Sequence, residues 1–133
     1  MITVLAALII KEGKILIARR NSGNEEVIGK WEFPGGKLEK NETEEVGIER
    51  EIREELGIVI KANKYIMNNI FNYPNKSINL KLYECEYISG NINNLTSHSE
   101  YKYVKANELL KYDLCPADIE LAKYVSEKYS NKI

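Results

Sequence analysis

The sequence contains few of the residue types that mark disulfide-stabilised, zinc-binding or strongly basic proteins. Its 133 residues include two cysteines, one histidine and three prolines, and the net charge at pH 7 is −1. Cys85 and Cys115 are not spaced as metal ligands, and we expect reduced thiols, buried or half-buried, rather than a disulfide. A net charge near zero argues against the broad basic surface that electrostatic binding of nucleic acid requires.

The sequence also lacks a hydrophobic run long enough to cross a membrane. Residues 2–10 are almost all apolar, but a spanning helix needs about 20 such residues. This run has no preceding basic region and no cleavage site of small residues, so it does not resemble a signal peptide. We therefore expect a cytoplasmic protein without a membrane partner, folded as a single domain over residues 1–133.

Apolar runs and turn residues predict an α/β (α+β) protein. The segment at residues 2–10 is typical of a buried central strand. Further extended segments are predicted at residues 14–20, 31–34, 58–72, 77–89 and 101–104, with polar loops at 21–30 and 91–99 and a helical turn at 106–111. A helix beginning near Pro116 carries an apolar stripe of Leu121, Ala122, Val125 and Tyr129. The most economical packing is a mixed sheet between helices.

A helix over residues 43–56 has clear start and stop signals. Thr43 is a suitable N-cap residue, and Gly57 stands where a left-handed residue ends a helix. Val46, Ile52 and Leu56 are predicted to form its apolar stripe. The preceding glycine pair at residues 35–36 is predicted to be a loop.

The same helix carries three carboxylates on one face. Glu51, Glu54 and Glu55 are spaced by three and four residues, a spacing at which like charges repel. Hard oxygen ligands in this arrangement indicate a Mg²⁺ or Mn²⁺ site. The alternative is a solvated acidic face that is partly neutralised by ion pairs such as Arg50–Glu54.

These residues resemble the Nudix box. The segment fits the pattern G-x5-E-x7-R-E-U-x-E-E-x-G-U, in which U is a bulky aliphatic residue, through Gly36, Glu42, Arg50, Glu51, Ile52, Glu54, Glu55, Gly57 and Ile58. The run Trp31-Glu32-Phe33-Pro34-Gly35-Gly36-Lys37 is similar to that of the MutT-like branch, and the order of elements resembles the Nudix fold over nearly the whole chain. The resemblance implies a hydrolase that cuts pyrophosphate bonds in nucleoside diphosphate derivatives.

The resemblance also implies roles for the box residues. The catalytic ions would be bound by Glu51, Glu54, Glu55 and the main-chain oxygen of Gly35. Glu51 would act as the base that activates water, and Glu42 would act in the outer shell through Arg50 or a water. Arg50 would orient the carboxylates, although a buried Arg–Glu pair could equally serve as scaffolding.

The remaining site predictions concern the phosphates and the base. Arg20 matches a phosphate-contacting arginine and Lys37 is a second cation nearby, but either could be a surface charge. Phe33 is placed to stack on a base, or else is a core aromatic. Asn75 and Lys76 align with turn residues that approach the base, or are ordinary turn residues.

The segment Pro116-Ala117-Asp118 resembles the P-A-N or P-A-D segment that reads the base edge. An ionised Asp118 accepts hydrogen bonds only, which suits the exocyclic amine of cytosine, whereas a protonated one could serve a purine. The alternative is an acid placed by the helix dipole.

One departure from the branch concerns the loop before the strand at residues 101–104. MutT-like enzymes often carry a Glu-His pair there, whose glutamate is an extra metal ligand or base, whereas this chain has Ser97-His98. Glu100 is a possible substitute. We expect His98 to face solvent and assign it no role.

The sequence thus predicts a Mg²⁺- or Mn²⁺-dependent MutT-like enzyme that converts a nucleoside triphosphate into a monophosphate and pyrophosphate. It would sanitise nucleotide pools in support of DNA repair, acting on 8-oxo-dGTP or on a CTP or modified dCTP substrate. An ADP-ribose or dinucleoside polyphosphate hydrolase and a non-catalytic nucleotide sensor are the alternatives. We expect a small-molecule partner, no direct nucleic-acid binding, and a monomer or homodimer.

Overall fold

The computed structural model describes residues 1–130 and, within them, seven strands and two α-helices. The strands are β1 (Ile2–Lys11), β2 (Lys14–Arg20), β3 (Trp31–Glu32), β4 (Gly35–Lys37), β5 (Val59–Tyr73), β6 (Lys76–Ser89) and β7 (His98–Val104), and the helices are α1 (Glu44–Leu56) and α2 (Ile119–Tyr129). Two 3₁₀ segments, Ala106–Lys111 and Pro116–Asp118, precede α2. The predicted mixed α+β fold is confirmed.

Strand β1 is the centre of a mixed sheet, as its apolar sequence predicts. The strand order is β3-β2-β1-β6-β5, with β4 paired to β1 and β7 paired to β2. β1 runs parallel to β6 along most of its length, but it pairs with β2 only at Ile10↔Ile15 and Lys11↔Lys14. The first hairpin therefore splays open, and β4 takes the place beside the start of β1.

The glycine pair at residues 35–36 belongs to strand β4, so the predicted loop is wrong at this point. Gly35 is paired with Ala6 and Gly36 with Leu5. A Cβ on Gly35 would lie 1.8 Å from the main-chain oxygen of Leu5. The absence of a side chain lets this short strand approach β1 closely enough to pair with it.

The two faces of the sheet pack against different helices. Leu5, Ala7 and Ile9 belong to the cluster that includes α1, whereas Ala6 and Leu8 belong to the cluster that includes α2. Successive strand residues point to opposite faces, so a strand covered on both sides is apolar throughout. The predicted stripe of α2 is confirmed, since Leu121, Ala122, Val125 and Tyr129 are all buried.

Helix α1 begins and ends where its caps predict. The Thr43 side-chain oxygen accepts a hydrogen bond from the Val46 N–H (3.2 Å), and Gly57 has φ of 71°. Val46 is 54% exposed, so its assignment to the apolar stripe is wrong. Ile48, Ile52 and Leu56 face the sheet instead, because positions four apart share a face and position 46 lies about 200° around the helix from 48.

Among the later elements, the main departure from the prediction is at β7. This strand begins at His98, inside the segment of residues 91–99 that was predicted to be a loop. The long hairpin of β5 and β6 turns between Tyr73 and Lys76, as predicted. Both cysteines are free and buried, also as predicted. In residues 1–130 we find no helix with the length and apolar character needed to span a bilayer.

Candidate active site

Arg50 connects four carboxylates and one main-chain oxygen at the start of the acidic helix face. Its Nε and one terminal nitrogen donate to both oxygens of Glu42 (3.0 and 2.8 Å), and its Nη1 donates to Glu51 (2.9 Å) and Glu54 (3.0 Å). A further bond reaches the Lys37 carbonyl at 3.3 Å. Glu39 lies 3.4 Å from Nε. The planar guanidinium group presents several N–H donors in a fixed geometry, which allows it to bind both oxygens of one carboxylate and further acceptors at the same time.

Glu42 is anchored as an anion by this contact. Hydrogen bonds from Arg50 and from the main-chain N–H of Glu39 lower the pKa of Glu42 to about 2. The same bonds to Glu42 raise the pKa of Arg50 above its ordinary value. Glu42 therefore holds Arg50, and Arg50 in turn fixes the side chains of Glu51 and Glu54. This geometry matches the outer position that the resemblance implies for Glu42.

Glu51 lies across the glycine of strand β4. A Cβ on Gly36 would be 2.0 Å from Oε2 of Glu51, so the carboxylate occupies the space that a side chain would fill. Burial raises the pKa of Glu51, although the Arg50 contact partly opposes this shift. A carboxylate whose pKa moves toward neutrality is a better proton acceptor from water at that pH than an ordinary one.

The other two carboxylates of the face differ in exposure. The Glu54 side chain is 59% exposed and forms an ion pair with Arg50 at 3.0 Å. The Glu55 side chain is 22% exposed, and burial raises its pKa while His98 opposes the shift. The predicted common face is present, with Glu51 and Glu55 as its more buried members.

The donor set fits a hard divalent cation. Glu51 and Glu55 are oxygen donors whose burial disfavours the charged form, which a nearby cation would restore. Within residues 1–130, no three His, Cys, Asp or Glu side chains form a preassembled ligand cluster. Magnesium commonly uses one or two carboxylates and completes its shell with water and substrate phosphates, so the pair is sufficient.

His98 is buried, and the expectation that it faces solvent is wrong. Only 2% of the residue is exposed. Its Nε2 lies 2.8 Å from Oε2 of Glu32, and its Nδ1 lies 3.7 Å from Oε2 of Glu55. The main-chain register of β2 and β7 shifts by one residue here, pairing Arg19 with Glu100 and Arg20 with His98. This bulge turns the histidine inward.

A cavity of about 170 Å³ lies beside these charges. Its wall includes Arg20, Glu32, Tyr73, Lys76, Cys115 and Asp118. Arg20 donates from Nη1 to Oε1 of Glu32 at 3.2 Å. Because Glu32 contacts His98 as well, it joins the cavity wall to the carboxylate face of α1.

Asp118 forms the buried end of the cavity. Its Oδ2 accepts a hydrogen bond from the Phe33 N–H at 3.0 Å, and the residue is 4% exposed. Burial, together with the charge of Glu32, raises the pKa of Asp118 well above its ordinary value. The same surroundings move Asp118 toward its protonated form, in which a carboxyl group donates as well as accepts.

Of the other predicted base-contacting residues, Lys76 lines the cavity, whereas Phe33 and Asn75 do not. Phe33 is 3% exposed and packs in the core cluster, outside the cavity wall, which favours its interpretation as a core aromatic. Lys76 lines the cavity, whereas Asn75 is exposed at the tip of the hairpin and does not. Its position favours the interpretation of Asn75 as an ordinary turn residue.

Of the two predicted phosphate-contacting cations, Arg20 lines the cavity and Lys37 does not. Arg20 lines the cavity and is partly buried against Glu32. Lys37 is exposed at the end of β4, and its main-chain oxygen, rather than its ammonium, contacts the site. Gly35 lies in the same strand, next to the glycine over which Glu51 packs.

Sequence reasoning missed Glu32, His98 and Tyr73. Glu32 stands in the quoted W-E-F-P-G-G-K run, so its place in the motif was an available signal. The Tyr73 hydroxyl accepts from the Ala117 N–H at 3.2 Å and ties the long hairpin to the segment that carries Asp118. That contact joins residues 44 positions apart, and no local pattern reveals it.

Comparison with known proteins gives a consistent set of similarities. The profile of the NUDIX domain matches residues 1–125. The chain is 36% identical over 121 residues to the CTP pyrophosphohydrolase of Escherichia coli (strain K12), covering 91% of this chain and 88% of that protein. It is 32% identical over 117 residues to the putative 8-oxo-dGTP diphosphatase 2 of Mycobacterium tuberculosis (strain ATCC 25618 / H37Rv), covering 86% and 81%. The solution structure of the E. coli ORF135 protein superposes with a TM-score of 0.84 at 31% identity, covering 99% of this chain and 94% of that one.

Proposed function

The chain belongs to the Nudix family, in its MutT-like branch, and on that premise we propose that it hydrolyses a nucleoside triphosphate to the monophosphate and pyrophosphate with a divalent cation. It is a hydrolase of phosphoric anhydride bonds acting on a small-molecule substrate. Which nucleotide it takes, and the roles of individual residues, are the content of the proposal.

The observation that carries the proposal is the junction between the cavity and the acidic helix. Glu32 and Arg20 line the cavity, and both lie near Glu55 of α1. A base in the cavity against Asp118 would direct its phosphates past Arg20 toward the carboxylate face. One nucleotide can therefore use both halves of the site. A nucleotide sensor would not need the intact set of carboxylates that this chain retains.

The chemistry follows from the charge of the substrate. A bound Mg²⁺ or Mn²⁺ neutralises phosphate oxygens and lowers the pKa of coordinated water. Glu51, Glu54, Glu55 and the Gly35 carbonyl would hold the ions. Glu51 accepts the proton of the attacking water, and Arg50 keeps its carboxylate in place. Arg20 binds phosphate oxygens, with Lys37 as a more distant cation.

We favour a cytosine nucleotide over oxidised guanine. Asp118 presents a buried carboxyl group with Oδ2 already accepting from the Phe33 N–H. A protonated carboxyl offers one acceptor and one donor, which match the N4 amine and the N3 acceptor of cytosine. Lys76 lies at the cavity wall as a further base contact. The similarity to a CTP pyrophosphohydrolase supports this choice.

Oxidised guanine is the second candidate, because a protonated Asp118 can also face a purine. The similarity to a putative 8-oxo-dGTP diphosphatase favours it. In either case the enzyme would remove nucleotides from the precursor pool, a sanitising role that supports DNA repair. We also propose that residues 1–133 form one domain, that the protein acts in the cytoplasm, and that it works as a monomer or homodimer.

The test is the relative kcat/KM for a panel of nucleotides with Mg²⁺, measured as pyrophosphate release and monophosphate formation. The panel holds CTP, dCTP, 5-methyl-dCTP, dGTP, 8-oxo-dGTP, ADP-ribose and a dinucleoside polyphosphate, with EDTA as the metal control. We expect the cytosine nucleotides to be the best substrates, with no turnover in EDTA. A preference for ADP-ribose, or no turnover of any compound by folded protein with metal, would overturn the proposal.

A further inference from the structure

His98 stands between two carboxylates that belong to different parts of the site. Glu32 is in β3 at the cavity wall, and Glu55 is in the last turn of α1. The imidazole is almost fully enclosed, and its Nε2 lies 2.8 Å from Glu32 while its Nδ1 faces Glu55. Nε2 is therefore occupied by its contact with Glu32, and Nδ1 is the nitrogen that remains available to bind a further group.

The contact with Glu32 assigns the tautomer. An ionised carboxylate only accepts hydrogen bonds, and the other oxygen of Glu32 already accepts from Arg20. In the neutral imidazole, which is the form that binds a metal ion, the proton therefore sits on Nε2 and a lone pair remains on Nδ1. In the described part of the chain this Nδ1 is buried and has no hydrogen-bond partner. A buried polar atom without a partner is costly, so it calls for an explanation.

The lone pair points toward Glu55 at a distance that is too long for a hydrogen bond. Nδ1 and Oε2 of Glu55 are 3.7 Å apart, so they form no direct hydrogen bond. Two ligands that each lie about 2.1 Å from one ion are at most about 4.2 Å apart. The separation of 3.7 Å lies within this limit, so one cation can contact both atoms.

We propose that Nδ1 of His98 is a ligand of the divalent metal ion, together with Glu55. This inference rests on the proposed function, which places the ion at α1. A metal-binding histidine typically donates its other N–H to a carboxylate, which fixes its tautomer and orientation, and Glu32 supplies this carboxylate here. The site would accept Mn²⁺, Co²⁺ or Zn²⁺ more readily than an all-oxygen site does, because imidazole suits these ions.

The nearby acidic residue of β7 does not compete for this role. Glu100 pairs with Arg19 at 3.1 Å, and both side chains are more than 40% exposed. The bulge between Arg19 and Arg20 turns His98 inward in its place.

The direct test uses the fact that the chain has one histidine. Protein grown with ¹⁵N-histidine is loaded with Mn²⁺ without nucleotide, and pulsed EPR records the coupling of the ion to nitrogen. We expect the coupling of a directly bound ¹⁵N. Bound Mn²⁺ without such coupling overturns this inference and leaves the proposed hydrolase intact. Absence of Mn²⁺ binding also overturns this inference, and turnover of the nucleotide panel with Mg²⁺ then decides the proposed hydrolase separately.

A variant pair gives a second, independent reading. His98→Gln keeps a donor for Glu32 but replaces the ring nitrogen by an amide, and Glu100→Gln is the matched control on the same strand. Loss of an outer-shell partner of a metal ligand already costs about 10- to 100-fold in affinity. We therefore expect loss of a direct ligand in His98→Gln to lower the Mn²⁺ affinity by at least about tenfold, with a smaller effect on Mg²⁺ affinity, while Glu100→Gln changes neither. An unchanged ratio of Mn²⁺ to Mg²⁺ affinity in folded His98→Gln protein contradicts the assignment.

Discussion

Single glutamates in this site acquire different properties from their surroundings. Glu42 accepts hydrogen bonds from Arg50 and a main-chain N–H, which lower its pKa to about 2. Glu51 receives one bond from the same arginine, and desolvation by burial raises its pKa. A permanently ionised glutamate can hold a scaffold, whereas one with a raised pKa can exchange a proton. The pattern of the box alone does not reveal this division.

The first residue-scale prediction concerns Asp118. Asp118→Asn replaces a carboxyl group that can change protonation by an amide with a fixed donor and a fixed acceptor. Because a well-formed base contact contributes about 1–3 kcal/mol of discrimination, we expect the ratio of kcat/KM for CTP to that for 8-oxo-dGTP to change about tenfold or more. Steady-state kinetics with both substrates measures this ratio.

The matched control for that variant is Asn75→Ala, at the exposed hairpin tip outside the cavity wall. It should leave the ratio as in the wild type. If Asp118→Asn also leaves the ratio unchanged, Asp118 does not contact the base, and the cavity has another function.

At the scale of elements, strand β4 and helix α1 are built to meet. Gly35 packs against the backbone of β1, and Gly36 packs against the carboxylate of Glu51. Adjacent glycines in one short strand therefore serve two purposes. The first allows the sheet to form, and the second makes room for a functional side chain.

This difference predicts opposite results for two adjacent alanine substitutions. Gly36→Ala forces the Glu51 carboxylate to move, and since a displacement of about 1 Å costs about 10²-fold in rate, we expect a loss of kcat of that order with little change in Tm. Gly35→Ala places a Cβ 1.8 Å from a main-chain oxygen, so it should lower Tm strongly. Thermal unfolding and turnover of both proteins check the pair.

A Gly36→Ala protein with normal turnover would show that Glu51 does not need its observed position. A Gly35→Ala protein as stable as the wild type would show instead that β1 and β4 can separate without cost.

The elements that sequence predicts well are those with local signals. Helix α1 has its N-cap at Thr43 and its stop at Gly57 within one segment, and both are observed. Strand β4 has only three residues, two of them glycine, and it forms because Leu5 and Ala6 lie beside it. The burial of His98 is not predictable from sequence for a similar reason, since the bulge beside it depends on pairing with β2. Non-local pairing decides both cases.

At the scale of the whole molecule, the sheet brings distant segments to one place. The cavity combines residues of β2, β3, the long hairpin and the 3₁₀ segment before α2. The family resemblance identifies the box carboxylates because they lie within one stretch of 23 residues. It says less about which residues contact the base, because candidates such as Phe33 and Asn75 come from separate segments whose spacing the motif does not fix.

The central claim is that carboxylates of α1 activate water for cleavage of a nucleoside triphosphate, and the most direct test is the turnover of Glu51→Gln. A general base contributes about 10²- to 10⁴-fold, so we expect kcat with Mg²⁺ to fall by that order, while the circular dichroism spectrum and Tm stay near wild type. Glu45→Gln, an exposed first-turn glutamate of the same helix, is the control and should keep its activity. Near-normal kcat in folded Glu51→Gln protein would contradict the account.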